Sequence, residues 1–526
     1  MTILTQMGNS RTFHRFSVCL PPMLLCAAAG VLLLPYFSFC CDDAYIYLRY
    51  MKNLAGGHGF SWNPGHKTYG ITGPLWVLLC TPFLCLFTDP VAALKSVALA
   101  LSLLFVVLLW SISEFYEKSA VRRFFICLIV VTDPWLIKWG MSGLEVPLTL
   151  CLIAGGFRSF LLSIKAHQPP LLGTVLLALA TLARPEAALV LSVLLGADAV
   201  VNRSLLRTIS LGLIAVAIVL PWHLYAITCF GTPIPNTFLA KSGTRPASAM
   251  LVKTVTVLVG TYGIPLLCLL IRGFVVRKRR DALPLYVRFV MYWVPPAVLG
   301  ALAAFYCIRG FPVGARYYLM ITPLVVLVGM TSGFRLTDLV RYRWAGLLIR
   351  TSMVASAIAI NAGIQYSQTW FVTRFPRGMD ERLIELGLWL KEGTPPDTIV
   401  ATDQIGVLGY FGERFVYDTA GLCSPEFIPA TGDLQTQIRF MRERKVDVYF
   451  HWAYGAEEVR TATKRIPNDW ATLLGIVPVT REGSAAKGAP AYCLVFVTKN
   501  ADARGAGRTI RVTWAARYKA HTDVGG

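Results

Sequence analysis

Charge is scarce in this chain. Only 15% of its 526 residues are Asp, Glu, Lys or Arg, while 55% are hydrophobic. A soluble domain of ordinary composition carries about 25% charged residues. The shortage argues against a soluble globule and for a chain whose solvent is largely lipid. Acidic residues are scarcer still, 29 against 50 basic, which leaves a net charge of +21. That surplus invites a nucleic-acid reading, but its distribution argues against nucleic acid as a partner. Residues 1–365 hold 30 Lys/Arg and 11 Asp/Glu, whereas residues 366–526 hold 20 and 18. The excess sits among apolar runs in short clusters: Arg122-Arg123, Arg203 with Arg207, Arg277-Lys278-Arg279-Arg280, and Arg335 with Arg341 and Arg343. Cytoplasmic loops of membrane proteins have this look.

Familiar catalytic signatures are also missing. None of the 13 cysteines forms a CxxC pair, and there is no HExxH and no GxSxG. Zinc ribbons, zincins and serine-hydrolase elbows are not indicated. Gly56-Gly57-His58-Gly59 lacks the closing GK[ST] of a phosphate-binding loop. Most cysteines, such as Cys80, Cys85, Cys127, Cys151 and Cys268, lie in apolar runs and read as small hydrophobes. Cys423 and Cys493 lie outside those runs, where a disulfide between them is open but not established by sequence.

What is present is a succession of apolar stretches, many approaching the ~20 residues of a bilayer crossing. They lie near 16–39, 72–88, 92–112, 145–163, 171–183, 187–201, 208–229, 250–272, 287–307, 316–333 and 344–363. They amount to roughly 11–13 spans. The stretch 124–141 is interrupted by Asp133-Pro134 and reads as a broken or re-entrant segment. The first stretch comes after Arg11, His14 and Arg15 and is longer than the ~7–15 apolar residues of a signal peptide. It reads as a retained helix with a cytoplasmic N-terminus. Asp42-Asp43 would then lie outside. The basic clusters at 277–280 and 335–343 put the end of span 344–363 on the same outer side.

Three regions result: a transmembrane core over 1–365 containing an outer loop at 40–71, an α/β domain over 366–500, and a mobile basic tail over 501–526. In the domain, Leu383, Leu386, Trp389 and Leu390 share one helical side, and Gly393 with Pro395-Pro396 ends that helix. Strand-like runs come next at Thr398–Thr402, Arg414–Tyr417, Val446–Phe450 and Ala491–Thr498.

Polar residues concentrate in a few loops. The first outer loop runs from Asp42-Asp43-Ala44-Tyr45 through Arg49, His58 and Asn63-Pro64-Gly65. One acid is enough to cap the helix that begins there. Two adjacent carboxylates beside a membrane repel each other and lose solvation, which raises a pKa and suits a general base. Elsewhere Glu145 follows Trp139-Gly140-Met141-Ser142-Gly143-Leu144, and Arg184-Pro185-Glu186 splits two spans. His223 follows Pro221-Trp222, Asn236 and Lys241 share one segment, and Arg309 and Arg316 flank Phe311-Pro312-Val313-Gly314. Ionisable groups at such depth face a cavity or a partner. The plainer readings are a local ion pair for Arg184 with Glu186, an interfacial histidine for His223, a snorkelling Lys241 and flanking charges for the two arginines.

Together these loops resemble the GT-C superfamily of polyprenyl-phosphate-sugar-dependent glycosyltransferases. The resemblance rests on Asp42-Asp43-Ala44-Tyr45-Ile46, Gly57-His58-Gly59, Asn63-Pro64-Gly65 and Gly70-Ile71-Thr72-Gly73-Pro74-Leu75-Trp76. It continues at Ser142-Gly143-Leu144-Glu145, Ala183-Arg184-Pro185-Glu186, Pro233-Ile234-Pro235-Asn236-Thr237, Asp403-Gln404-Ile405-Gly406 and Tyr417-Asp418-Thr419-Ala420-Gly421-Leu422. It looks closest to the branch containing the terminal arabinofuranosyltransferase of actinobacterial cell walls. The usual Thr-Asn/Ser-Pro of the first loop is Thr72-Gly73-Pro74 here.

The resemblance implies a polytopic α-helical core of GT-C type in the plasma membrane, carrying an extracytoplasmic α/β domain. It implies transfer of a sugar from a polyprenyl-phosphate donor to a glycan, lipid or protein acceptor, with inversion. Asp42 or Asp43 would be the base, Asp42 being favoured. Tyr45, Arg49, His58, Glu145, Arg184, Glu186, His223, Asn236, Lys241, Arg309 and Arg316 would line the substrate site, with Arg184, Arg309 and Arg316 assigned to phosphate by charge and sidedness. The second aspartate would orient the first or hold a divalent cation; no other cofactor is indicated. A flippase or transporter of lipid-linked glycan, and a glycan ligase or polymerase, share much of this logic.

Overall fold

The computed structural model describes residues 19–84, 86–275, 285–311, 314–479 and 491–518. Arg11, His14, Arg15, Cys85, the cluster Arg277–Arg280, Pro312, Val313 and the chain after residue 518 lie outside the described residues. The chain folds as two compact units. The first comprises residues through Ser38, Lys95–Trp222 and Gly243–Tyr366. The second comprises Phe39–Leu94, His223–Ser242 and Ser367 onward.

Helices make the first unit. Six helices among the described residues are long and apolar enough to cross a membrane: Cys19–Tyr36, Pro90–Tyr116, Val146–Ala166, Leu205–Phe230, Ala247–Gly273 and Arg343–Gln368. Three more of this unit, Leu171–Ala183, Ala187–Val200 and Val294–Ile308, are apolar but shorter, as is Pro74–Leu84 of the second unit. Among the described residues, helices long enough for a full crossing are thus fewer than the 11–13 spans expected. One reason is that the run at 287–307 divides into Leu285–Tyr292 and Val294–Ile308, the second opening on Pro295. The stretch 124–141 is broken where its sequence indicated. Ala120–Val131 stops, and Asp133 caps Pro134–Gly140 by accepting from the backbone N–H of Trp135 (2.8 Å) and Leu136 (3.2 Å). Tyr262 donates to its other oxygen at 2.8 Å. Small residues let the helices approach closely. A Cβ on Gly156 would press on Leu177 at 2.7 Å, and one on Gly173 would meet Phe160 at 2.5 Å.

The second unit is built on a five-stranded mixed sheet, ordered β2-β1-β3-β5-β4. The strands are β1 Ile399–Thr402, β2 Phe415–Asp418, β3 Val448–Tyr454, β4 Ala471–Pro478 and β5 Ala491–Thr498. β1 pairs parallel with β2 (Val400 opposite Val416) and with β3 (Val400 opposite Val448); β3–β5 and β5–β4 are antiparallel. One face buries Ala401, Tyr449, Leu494 and Phe496 with Phe427, Met441 and Trp470. The four strand-like runs of the sequence are all strands; β4 is an addition. Helix Arg343–Gly393 enters this unit and ends at Gly393, ahead of Pro395-Pro396.

Two expectations change here. Residues 499–518 are not a loose tail but the helices Lys499–Ala503 and Ala506–Tyr518. Ile510, Trp514 and Tyr518 recur every fourth residue and are buried, with Trp514 edge-on to Trp389 at 4.9 Å. Cys423 and Cys493 are separate buried free thiols, not a disulfide. Cys493 faces Trp452 in the β3–β5 ladder, while Cys423 lies after β2 against Gly70.

Candidate active site

In the second unit, Asp42 and Asp43 form the first turn of helix Asp42–Ala55, where the helix dipole favours anions. Neither caps that helix: the N-cap is Cys41, with no side-chain hydrogen bond. Asp42 caps a different one. Its Oδ2 accepts from the backbone N–H of Gly406 at 3.0 Å and its Oδ1 from that of Val407 at 2.8 Å, both in the first turn of helix Ile405–Gly412. A Cβ on Gly406 would collide with the Asp42 backbone carbonyl, so this approach requires glycine. The motif Asp403-Gln404-Ile405-Gly406 is thus a socket for Asp42. Asp42 keeps partial exposure as a residue, but its carboxylate is enclosed. Desolvation pushes it up to about 6, against the two N–H donors and with a smaller push from Asp43. Asp43 is half-buried beside it.

The rest of the loop is tied down. Arg49, 5% exposed, donates to the carbonyls of Gly409 (2.7 Å) and Arg414 (2.7 Å) and to Asn63 Oδ1 (2.9 Å), and stacks over Trp62 at 4.3 Å. Asn63 mimics a strand at the sheet edge: it donates to the Val416 carbonyl at 3.0 Å and accepts from the Val416 N–H at 3.0 Å. Tyr45 packs on Tyr410 and Phe411, at 5.9 and 5.7 Å between ring centres. The hydroxyl of Tyr50 donates to the Thr68 carbonyl (2.7 Å) and accepts from Gly70 N–H (3.1 Å); that of Tyr47 accepts from Gly73 N–H (3.1 Å). Position 73 therefore acts through its backbone. Asp418 shapes the loop after β2 by accepting from the N–H of Ala420 (2.9 Å) and Cys423 (2.7 Å); burial pushes it up to about 7. Arg49 and Tyr45 thus hold the loop against helix Ile405–Gly412 and the sheet edge.

His58 is exposed, and His223 and Lys241 are half-buried. Asn236 is buried, and its backbone N–H donates to the Tyr69 carbonyl at 2.8 Å, which ties helix Asn236–Lys241 to the first loop.

In the first unit, Glu145, Arg184 and Glu186 come together. Arg184, 6% exposed, reaches Glu145 Oε1 at 3.1 Å and Glu186 Oε1 at 3.5 Å. The Tyr306 hydroxyl donates to Glu186 Oε1 at 2.6 Å. Tyr317 lies beneath two guanidinium groups, Arg184 at 5.3 Å and Arg316 at 5.1 Å, and Arg316 also covers Trp139 at 5.2 Å. Arg184 Nε, Glu186 Oε2 and Trp139 Nε1 are buried without a hydrogen-bond partner among the described residues. Such orphaned groups suit a polar ligand better than a sealed core. Arg309 is exposed, at the end of helix Val294–Ile308.

The sequence did not mark Trp139, Tyr306 and Tyr317 as members of this cluster, nor Lys95. Lys95 is fully buried in helix Pro90–Tyr116 and donates to the Met141 carbonyl in the turn ahead of Glu145. A lone lysine inside an apolar run was its only signal. Among the described residues no group of three or more His, Cys, Asp or Glu is arranged to hold a metal ion. Both Asp42 oxygens face backbone donors. That geometry does not fit a cation.

Residues 370–502 match a family model described as a domain of unknown function, DUF8728. No curated protein matches the chain. Among solved structures, ArnT from Cupriavidus metallidurans bound to undecaprenyl phosphate is similar over 90% of this chain and 97% of its own, at 12% identity and a TM-score of 0.54. The oligosaccharyltransferase AglB from Archaeoglobus fulgidus, in complex with an inhibitory peptide and a dolichol-phosphate, is similar over 83% of this chain and 69% of its own, at 11% identity and a TM-score of 0.54. At such identities the likeness speaks for architecture, and the architecture this chain shares with both is the GT-C fold.

Proposed function

We propose that this protein is a membrane glycosyltransferase that takes its sugar from a polyprenyl-phosphate donor and passes it to an acceptor outside the cytoplasm, at the plasma membrane. The observation that carries the reading is the docking of Asp42. Its two oxygens are committed to Gly406 and Val407, so Asp42 positions the loop and Asp43, next in the same turn, is the base. This reverses the preference the motif alone suggests.

In the proposed step an acceptor hydroxyl attacks the anomeric carbon. Asp43 takes the hydroxyl proton, the bond from carbon to phosphate oxygen breaks, and polyprenyl phosphate departs as an anion. The leaving group is already stable and needs cations more than a proton donor. Arg316, stacked on Trp139 and Tyr317, is the cation assigned to it, with Arg309 in support. Arg184 is withdrawn from that role because Glu145 and Glu186 already balance its charge. Attack on the side opposite the leaving phosphate inverts the anomeric centre, by analogy with glycoside chemistry. The motif likeness to the arabinofuranosyltransferase branch makes a polyprenyl-phosphate pentose the first donor to try, and hexose donors the second.

The test is to incubate purified protein with a panel of polyprenyl-phosphate sugars and measure released polyprenyl phosphate. Asp43→Asn should lose about 10²–10⁴-fold in rate with its melting temperature kept. Full activity in that variant sinks the base assignment. Movement of the lipid across a bilayer without sugar release favours the flippase.

A further inference from the structure

The far end of the first unit carries a second gathering of cations. The guanidinium of Arg272 lies 3.8 Å over the Tyr292 ring and that of Arg335 lies 5.6 Å over the same ring. Tyr116 meets this ring edge-on at 5.7 Å and donates to the Met291 carbonyl at 2.9 Å. Arg288 precedes Tyr292 by four residues in helix Leu285–Tyr292 and so shares its side of the helix. Arg335 stands in the last turn of helix Thr322–Thr337, roughly 24 Å long, and Tyr317 precedes the start of that helix.

Among the described residues no carboxylate balances the charge of Arg288 or Arg335. Nearby, Arg122 and Arg350 both pair with Asp338, at 2.8 and 2.6 Å. Among the described residues neither Arg288 nor Arg335 forms an ion pair. Arg335 donates to the Tyr116 carbonyl at 2.8 Å, and Arg288 Nε is buried with no partner. Arg272 is only 8% exposed. Half-buried cations such as Arg288 and Arg335, in a membrane unit and without an ion pair among the described residues, call for an anion. Beside them Leu270, Phe289 and Trp293 are 64, 46 and 54% exposed, an apolar surface adjoining the cationic one.

We propose that Arg272, Arg288 and Arg335 bind the phosphate headgroup of an anionic membrane phospholipid, its acyl chains lying over Leu270, Phe289 and Trp293. Planar guanidinium groups suit phosphate oxygens, and the adjoining apolar surface selects a lipid over a free ion. The site is separate from the proposed transferase chemistry and stands whether or not that reading holds.

Native mass spectrometry of the purified full chain tests this, with phosphatidylglycerol, phosphatidylcholine or inorganic phosphate added singly and then in competition. The expected result is retained phosphatidylglycerol, preferred over phosphatidylcholine by about tenfold, one strong charge-assisted contact. R288Q with R335Q should abolish that preference. R122Q with R350Q removes as many charges from a balanced network and should keep it. Equal retention of both lipids by the unmodified protein overturns the proposal, as does a folded R288Q/R335Q variant that still prefers phosphatidylglycerol. Displacement of the lipid by millimolar inorganic phosphate overturns the lipid assignment.

Discussion

Asp42 shows how far a residue's chemistry depends on its neighbour across the fold. In the sequence it is the favoured base of an acid pair; in the structure it is the plug of a socket whose floor is Gly406. Gly406→Ala should therefore destabilise the second unit by roughly 1–3 kcal/mol, the usual penalty of forced overpacking. A lowered melting temperature checks it, and an unchanged one would mean the helix start can retreat. Burial also makes Asp42 and Asp418 hold protons more tightly than in the unfolded chain, at about 6 and about 7 against about 3.9. Their contribution to stability is fully present below about pH 4 and lost as pH rises through 6 to 7. The melting temperature of the second unit should therefore fall between pH 5 and 8, and fall less in Asp42→Asn. A rise over that window would contradict the burial of these carboxylates. The acid pair itself was legible in sequence because two carboxylates beside a membrane helix are rare. Which of them was occupied was not, since the donors lie 364 and 365 residues away.

At the scale of elements, Arg184 is a tie between helix starts. Glu145 and Glu186 each stand just ahead of a helix, Val146–Ala166 and Ala187–Asn202, and Tyr306 reaches Glu186 from Val294–Ile308. Arg184→Ala leaves the buried Glu145 and half-buried Glu186 without their cation, and breaking a buried pair typically costs about 3–5 kcal/mol, the upper end of what is expected here. Replacing the three together, as Arg184→Met with Glu145→Gln and Glu186→Gln, should recover most of that loss, because no charge is then stranded. Thermal unfolding of the single and triple variants decides it; equal losses would show that packing and not charge holds the cluster. The sequence placed Arg184 and Glu186 together by proximity and could not place Glu145 with them, 39 residues earlier. Element reading failed in a similar way at β4. Ala471–Pro478 carries Gly475 at an irregularity in the β4–β5 register and has no clean alternation. The terminal helix was legible from Ile510, Trp514 and Tyr518 but was hidden by a basic, glycine-rich composition.

At the scale of the molecule, the second unit draws on three stretches of chain, and the early one completes it. Helix Ile405–Gly412 receives Asp42 at its start and Arg49 at the Gly409 carbonyl, and the edge strand β2 is covered by Asn63 and Trp62. Strands β3, β4 and β5 instead share a core drawn from residues 401–496. Sequence divides the chain near residue 365, since hydropathy falls there, but hydropathy does not reveal that residues 39–94 fold with the chain beyond Ser367. A fragment beginning at Ser367 should therefore be unevenly stable. Hydrogen exchange of the isolated fragment should show amides of 405–418 exchanging far faster than in the full chain, while those of 448–454 and 491–498 stay protected, as expected when one subregion loses its partners and another keeps them. Adding back a peptide spanning residues 39–73 should restore protection at Gly406, Val407 and Val416 first, since their N–H groups bond directly to Asp42 and Asn63. Uniform protection across the fragment without that peptide would show that the first loop only rests on a finished domain, and Asp42 would then lose its standing as a positioning residue.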